Sequence, residues 1–485
     1  MARIGLLTFS DGRDFVARDL VEMNQDFERR LRVQLEADGH EVVTGEEIVW
    51  TTELAEREAR RLTERGCDAS IFNYAVWAFP HFTAIASTFA PRPILMFSNV
   101  NPRYPGLVAM LAAAGSLNQL GISHERVWGE IEDPAVARQV NTFVRAAEVV
   151  SRLRGQSYGL IGGRSMGMYT ATVDPAGWQR QFGVDVEHID QWEIVRRGEL
   201  IDAARVRAAR EWLEGWGHVA YDGDKLTPET LERQVRSYHA MRELIDEWHL
   251  DFTGIKGQPE LTNHYATMDI AEAFLNDPYD WEGPKEPFVC ATEADSDGAL
   301  TMQILKLISA TPVLFADVRH YEAADNFFDL CNSGQHATYF AARSTDPAEN
   351  MPHVRFLPEI FYFPAGGASV QHLAAPGEMT FARLTRKDGR YWMAILRGES
   401  IRFDDERDER YMRATTWEWP HLFARFETSA ETFLQTFAAN HIHGVYGDVT
   451  TRLIAVCRAL NVTPVLLDGD GAHIPSAPGL PTMWG

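Results

Sequence analysis

Residues 288–319 read FVCATEADSDGALTMQILKLISATPVLFADVR. A short apolar run at 288–292 gives way to an acidic loop, then to an apolar helical segment, then to a second strand-like run, PVLFADVR. Glu293 falls just past the first strand and Asp317 at the end of the second. In an open parallel sheet, ligands gather outside the carboxyl ends of the strands. Two carboxylates presented at that edge from adjacent strands can share a divalent cation or divide acid and base duties. Asp295 and Asp297 have a simpler reading, as caps and solvated groups of the following helix.

The same alternation extends toward the N-terminus. RIGLLTF reads as a strand, residues 15–38 as one helix, HEVVTG as a second strand, and CDASIFNYA and RPILMFSNV as buried strands each followed by a helical pattern. That is βα repetition, hence a doubly wound α/β domain, left by a long helix over residues 133–154. SYGLIGG opens a second α/β unit, with a helix at 228–248 and strands in DFTGIKG and PFVCAT. Past about residue 345 the character turns β-rich: MTFARLTR and YWMAILRGE flank Lys387-Asp388-Gly389-Arg390, where Asp-Gly signals a hairpin turn, and one late helix covers 449–460. The fold class expected is α/β, two doubly wound α/β domains at 1–152 and 153–310 followed by a β-rich C-terminal domain at 311–485.

Composition narrows the function. A chain of 485 residues exceeds one ordinary domain. With 45% hydrophobic and 24% charged residues it reads as globular throughout. A net charge of −23 argues against a nucleic-acid partner, because binding a polyanion needs basic surface. Cys67, Cys290, Cys331 and Cys457 form no CxxC pair and read as reduced core residues. The N-terminal apolar run is too short for a secretory signal, and no segment approaches the ~20 apolar residues of a membrane span. A cytoplasmic protein with no membrane partner is expected.

Several other segments carry polar chemistry. GGRSMGMY (162–169) follows a strand but meets neither nucleotide-loop pattern, and reads as a glycine-rich turn that brings backbone close to a small ligand. NHIHGVYGD (440–448) holds His441 and His443, and imidazole together with carboxylates suits Mn(II) or a similar first-row metal. A lone loop histidine is more often structural, and that reading stands for His264, His320, His336, His372 and His473. Trp77 in FNYAVWAFPH, and Trp417 and Trp419 in TTWEWPH, are sugar-stacking candidates for which core packing is the better-supported reading. IKGQPEL (255–261) puts Lys256 and Gln258 at a strand end, and CNSG (331–334) supplies Asn and Ser donors.

Taken together, GGRSMGMY, IKGQPEL, ATEADSDGALTMQIL, PVLFADVR, CNSG and ANHIHGVYGD resemble the L-fucose isomerase family, metal-dependent aldose–ketose isomerases related to L-arabinose isomerase. The spacing of Glu293 and Asp317 matches that family's metal-binding carboxylates, and Asn440-His441 matches its third-ligand segment. The resemblance implies Mn2+ (or another divalent first-row metal, or Mg2+) held by Glu293, Asp317 and His441. It also implies a homo-oligomer, hexamer or trimer, with Trp77 the candidate for a residue lent to a neighbouring site. The implied reaction passes through a cis-enediolate, with Glu293 and Asp317 as acid–base groups and Glu293 the better placed carbon base through its longer side chain. Gln258, Ser333, Asn440 and Met166 are the further substrate-binding candidates. Arg13 is read either as reaching a neighbouring site or as a structural salt bridge. The sugar is open: L-fucose, D-arabinose or a sulfonated hexose. A metal-dependent epimerase or aldolase, and a non-catalytic sugar-binding protein, are the alternative readings.

Overall fold

The computed structural model describes residues 1–333, 336–469 and 471–475, and divides into two compact units. The first comprises Met1–Arg152 together with Thr451–Asn461. Its five strands, Arg3–Thr8, Glu41–Thr44, Ala69–Tyr74, Ile94–Ser98 and Glu125–Trp128, form one parallel sheet in the order 2-1-3-4-5. Successive strand residues face opposite sides, so Ile4 and Leu6 enter one apolar cluster and Leu7 and Phe9 the other. Both faces are thereby buried at the three central strands, Arg3–Thr8, Ala69–Tyr74 and Ile94–Ser98, which is why these read as mostly apolar runs. The single helix expected over 15–38 is two, Asp14–Asp19 and Val21–Ala37, because Leu20 leaves helical geometry at φ −101° and ψ 1°.

The second unit comprises Leu153–Thr450 and the residues from Val462 onward. Strands Cys290–Thr292, Phe252–Ile255, Ser157–Ile161 and Asp185–Ile189 lie side by side in a parallel sheet. A larger, mostly antiparallel sheet follows, ordered Gly377–Lys387, His441–Tyr446, Leu314–Glu322, Phe327–Cys331, His421–Phe426, Arg390–Ile401, Thr463–Asp468 and Gly471–His473. Gly377–Lys387 pairs with both His441–Tyr446 and Arg390–Ile401, so the first six strands close on themselves as a barrel. The hairpin turn at Asp388-Gly389 is present, with φ of 52° and 73°.

One expectation is overturned here. Cys290–Thr292 and Leu314–Glu322 are not neighbours in one parallel sheet: the first belongs to the parallel sheet and the second to the barrel. Asp317 therefore does not end its strand but lies inside it. The helix between them, Ser296–Ser309, packs against strands of both sheets and is buried nearly all round. An apolar surface on every side is what such a wedged position requires, and it is not the one-sided stripe of a crossover helix. Among the described residues no helix is long and apolar enough to cross a membrane.

Candidate active site

Glu293 is aimed by strain. The strand stops at Thr292, and Glu293 and Ala294 both take left-handed backbone, with φ of 58° and 49°. Each such residue costs roughly 1–2 kcal/mol, and strain of this kind collects where surrounding structure over-determines it. Here the turn is held by the Ala294 N–H on the Ile255 carbonyl (2.8 Å) and the Asp295 N–H on the Thr292 carbonyl (3.1 Å). Gly254 makes room: a Cβ there would run into the Tyr158 hydroxyl and come within 3.1 Å of Ala294 Cα.

Asp317 and His441 are brought together by sheet register. Leu314–Asp317 pairs antiparallel with His441–Gly444, placing Asp317 directly opposite His441 and Phe315 opposite His443. Side chains so paired project from one face. The Phe315 ring packs on both imidazoles, at centroid distances of 4.5 and 4.9 Å.

The two sheets thus deliver three groups to one point. His441 Nε2 lies 3.2 Å from Glu293 Oε2 and 3.4 Å from Asp317 Oδ1, while His441 Nδ1 lies 2.6 Å from Asp295 Oδ2. Gln258 donates to Glu293 Oε1 at 3.4 Å. Asn440 and Asn332 donate to the two oxygens of Asp317 at 3.1 and 3.0 Å. Asp295 does cap the helix, accepting from the Gly298 N–H at 2.9 Å, but it also meets His441 and the buried Arg383. Asp297 pairs with Arg386 at 2.9 Å.

Burial opposes charge throughout the cluster, and the partners decide each outcome. Burial and the neighbouring Glu293 outweigh His441 at Asp317, whose carboxyl is pushed up to about 6. Burial would lower His441, yet its contacts with Asp295 and Glu293 carry it up to about 10. Burial would raise Asp295, but Arg383 and His441 hold it well below the ordinary carboxylate range. Burial, with Arg383 beside it, keeps His443 far below the usual imidazole value.

Among the described residues no three His, Cys, Asp or Glu side chains stand as a preformed metal cage; His441 Nε2 instead contacts a carboxylate oxygen of Glu293 and one of Asp317 directly. The donor set nevertheless fits a divalent cation. Glu293 Oε2 and His441 Nε2 are buried without a hydrogen-bond partner and face each other, and two carboxylates with one imidazole are ligands suited to Mn-type metals.

Glu293 and Asp317 open onto a cavity of about 260 Å³, also lined by Met166, Gln258 and Ser333. Five sequence candidates therefore share one cavity, with His441 and Asn440 held against it through Glu293 and Asp317. Met166 reaches it from the glycine-rich loop, which Ser165 anchors to the Gln258 carbonyl at 3.1 Å. Gly334 of CNSG lies outside the described residues. Trp77 and Arg13 belong to the first unit and do not line this cavity: Trp77 is half-buried against Phe79, and Arg13 is paired with Asp11 at 2.6 Å. His336 and His372 are buried and held neutral by burial. Trp417 sits under the Arg413 guanidinium, away from the cavity lining.

Asn332, the Asn donor of CNSG, lines the cavity, and so does Trp419, for which core packing was the favoured reading; sequence reasoning missed Arg319 and Asn263. Trp419 donates its Nε1–H to Glu359 at 3.2 Å and turns a ring face to the cavity region where the Arg319 guanidinium lies 5.7 Å from its centroid. Arg319 carried no signal in the sequence: it falls at a bulge between Val318 and His320, where strand alternation no longer fixes which face a residue takes.

Comparison with known proteins covers the same ground. Family models for the L-fucose isomerase first N-terminal domain, second N-terminal domain and C-terminal domain match residues 1–155, 156–248 with 247–310, and 330–466. The L-fucose isomerase of Vibrio vulnificus is 25% identical over 95% of this chain and 92% of its own length. That of Haemophilus influenzae is 26% identical over 95% and 91%, and that of Klebsiella pneumoniae (strain 342) 26% identical over 83% and 81%. The chain belongs to the L-fucose isomerase family of aldose–ketose isomerases.

Proposed function

We propose that this protein is a divalent-metal-dependent aldose–ketose isomerase, with Mn2+ the preferred cation, acting on an aldose of the L-fucose or D-arabinose type. The convergence of Glu293, Asp317 and His441 on one wall of a monosaccharide-scale cavity carries the reading. Glu293, Asp317 and His441 would hold the cation, which supplies Lewis-acid polarisation of the substrate carbonyl.

The protein's own groups do the rest. Glu293 takes the proton from C2 of the open-chain aldose, leaving a cis-enediolate on the sugar, and returns it to C1. Asp317 moves the proton between the C1 and C2 oxygens. Gln258 holds Glu293, and Asn440 and Asn332 hold Asp317, so each carboxylate keeps one orientation through both proton transfers. Ser333 and Asn263 are positioned for sugar hydroxyls, and Trp419 for an apolar sugar face. In a homo-oligomer, trimer or hexamer, Trp77 or Arg13 would serve a neighbouring subunit's site; sedimentation equilibrium of wild type reads the assembly.

Arg319 favours a second substrate reading. A guanidinium at the cavity, bonded to Thr416 Oγ1 at 3.3 Å, suits a sugar carrying an anionic substituent such as a sulfonate. A ketose-formation assay across L-fucose, D-arabinose, L-rhamnose and sulfoquinovose, with EDTA and with Mn(II) added back, separates the two. Glu293→Gln is expected to lose turnover by orders of magnitude while remaining folded. Turnover near wild type in that variant would remove the proposed base, and two-fragment products would replace the isomerase with an aldolase.

A further inference from the structure

Asp295 takes no part in the proton transfers above, yet it is the most tightly held acid in the site. It is fully buried, its oxygens accept from the helix N-terminus at Gly298 and from His441 Nδ1 (2.6 Å), and Arg383 grips both of them. Arg383 is equally buried and reaches the Thr170 carbonyl (2.9 Å) and His443 Nε2 (3.2 Å). A buried ion pair is weak evidence for stability, since desolvation offsets much of the attraction and an apolar pair of similar volume would hold the elements equally well. Its contacts point to another role.

An ionised carboxylate can only accept, so Asp295 requires the proton on His441 Nδ1 and leaves Nε2 for the side facing Glu293 and Asp317. Arg383 keeps that carboxylate in place and at the same time engages His443 Nε2, withdrawing the second imidazole of the strand from competition. We infer that Arg383 and Asp295 are a positioning pair that fixes the tautomer and ring orientation of His441 and thereby sets the affinity of the site for its divalent cation. The inference rests on the proposed ligand role of His441.

The test is calorimetric titration of EDTA-treated protein with Mn(II), for wild type, Asp295→Asn and His441→Ala, alongside the circular dichroism and unfolding midpoint of each cation-free protein. An asparagine can offer its amide to Nδ1 and so favour the wrong tautomer; Mn(II) binding is expected to weaken ~10–100-fold, as for other partners of metal-ligating histidines. A purely structural role would lower the cation-free midpoint and leave affinity unmoved. Folded Asp295→Asn binding Mn(II) within about twofold of wild type overturns the inference. Wild type that takes up no Mn(II), or His441→Ala that binds as wild type does, overturns instead the ligand reading beneath it. Should Asp295→Asn fail to fold, Arg383→Lys decides, keeping the charge but losing the two-pronged grip: a several-fold loss of affinity supports the pair, and unchanged affinity overturns it.

Discussion

Trp419 ties the cavity wall to a buried carboxylate. Its Nε1–H bonds Glu359, which is itself buried and pushed above the ordinary carboxyl range by burial, with Asp269 close by. Trp419→Phe keeps the ring face and removes the bond, so KM is expected to rise several-fold with kcat little changed, in line with ~1 kcal/mol for one hydrogen bond; steady-state kinetics on the best sugar of the screen reads it. At this scale the sequence told much about the acids and little about the wall. Asp317 was picked out by a strand end that the structure moves on to Glu322, whereas Glu293 and His441 stand out because charge next to strand ends is chemically legible. Trp419 does not, because a tryptophan in TTWEWPH serves core and cavity equally well until neighbouring chain segments are placed around it.

At the scale of elements, two features govern the site: a strained turn and a sheet register. Gly254→Ala inserts a methyl group against Tyr158 and the Ala294 backbone. It is expected to cost ~1–3 kcal/mol of stability and to lower kcat at least tenfold by displacing Glu293, measured by thermal unfolding and turnover together. His372 gives a pH signature. Its Nδ1–H bonds the Val370 carbonyl (3.0 Å), its Nε2 is unpartnered, and burial lowers it from 6.5 to about 4. The unfolded chain therefore binds more protons than the folded one between those values, so the stability contributed by neutral His372 is complete above about 6.5 and is lost as pH falls toward about 4. The loss is of order 3 kcal/mol, and His372→Gln is expected to flatten the acid limb of a plot of unfolding midpoint against pH. The strands and helices themselves were legible from periodicity. Their partners were not, because pairing Asp317 with His441 depends on a register set by a barrel whose strands are far apart in the chain.

Over the whole molecule, cation binding is linked to folding. If Glu293, Asp317 and His441 hold a divalent ion only in the folded state, Mn(II) at 100 times its dissociation constant adds ~2.7 kcal/mol to stability. The unfolding midpoint should accordingly rise with Mn(II) and fall with EDTA, and neither shift should occur in His441→Ala. A second consequence concerns the order of synthesis. The first unit is not continuous in sequence: Thr451–Asn461, whose Leu453, Val456 and Cys457 are buried and whose Arg458 offsets the burial of Glu125, belongs with Met1–Arg152. A ribosome makes those closing residues only after the whole of Leu153–Thr450 has been synthesised, so the nascent amino-terminal portion waits, incomplete, through most of translation. A gene shortened ahead of that segment would injure the beginning of the protein as surely as its end.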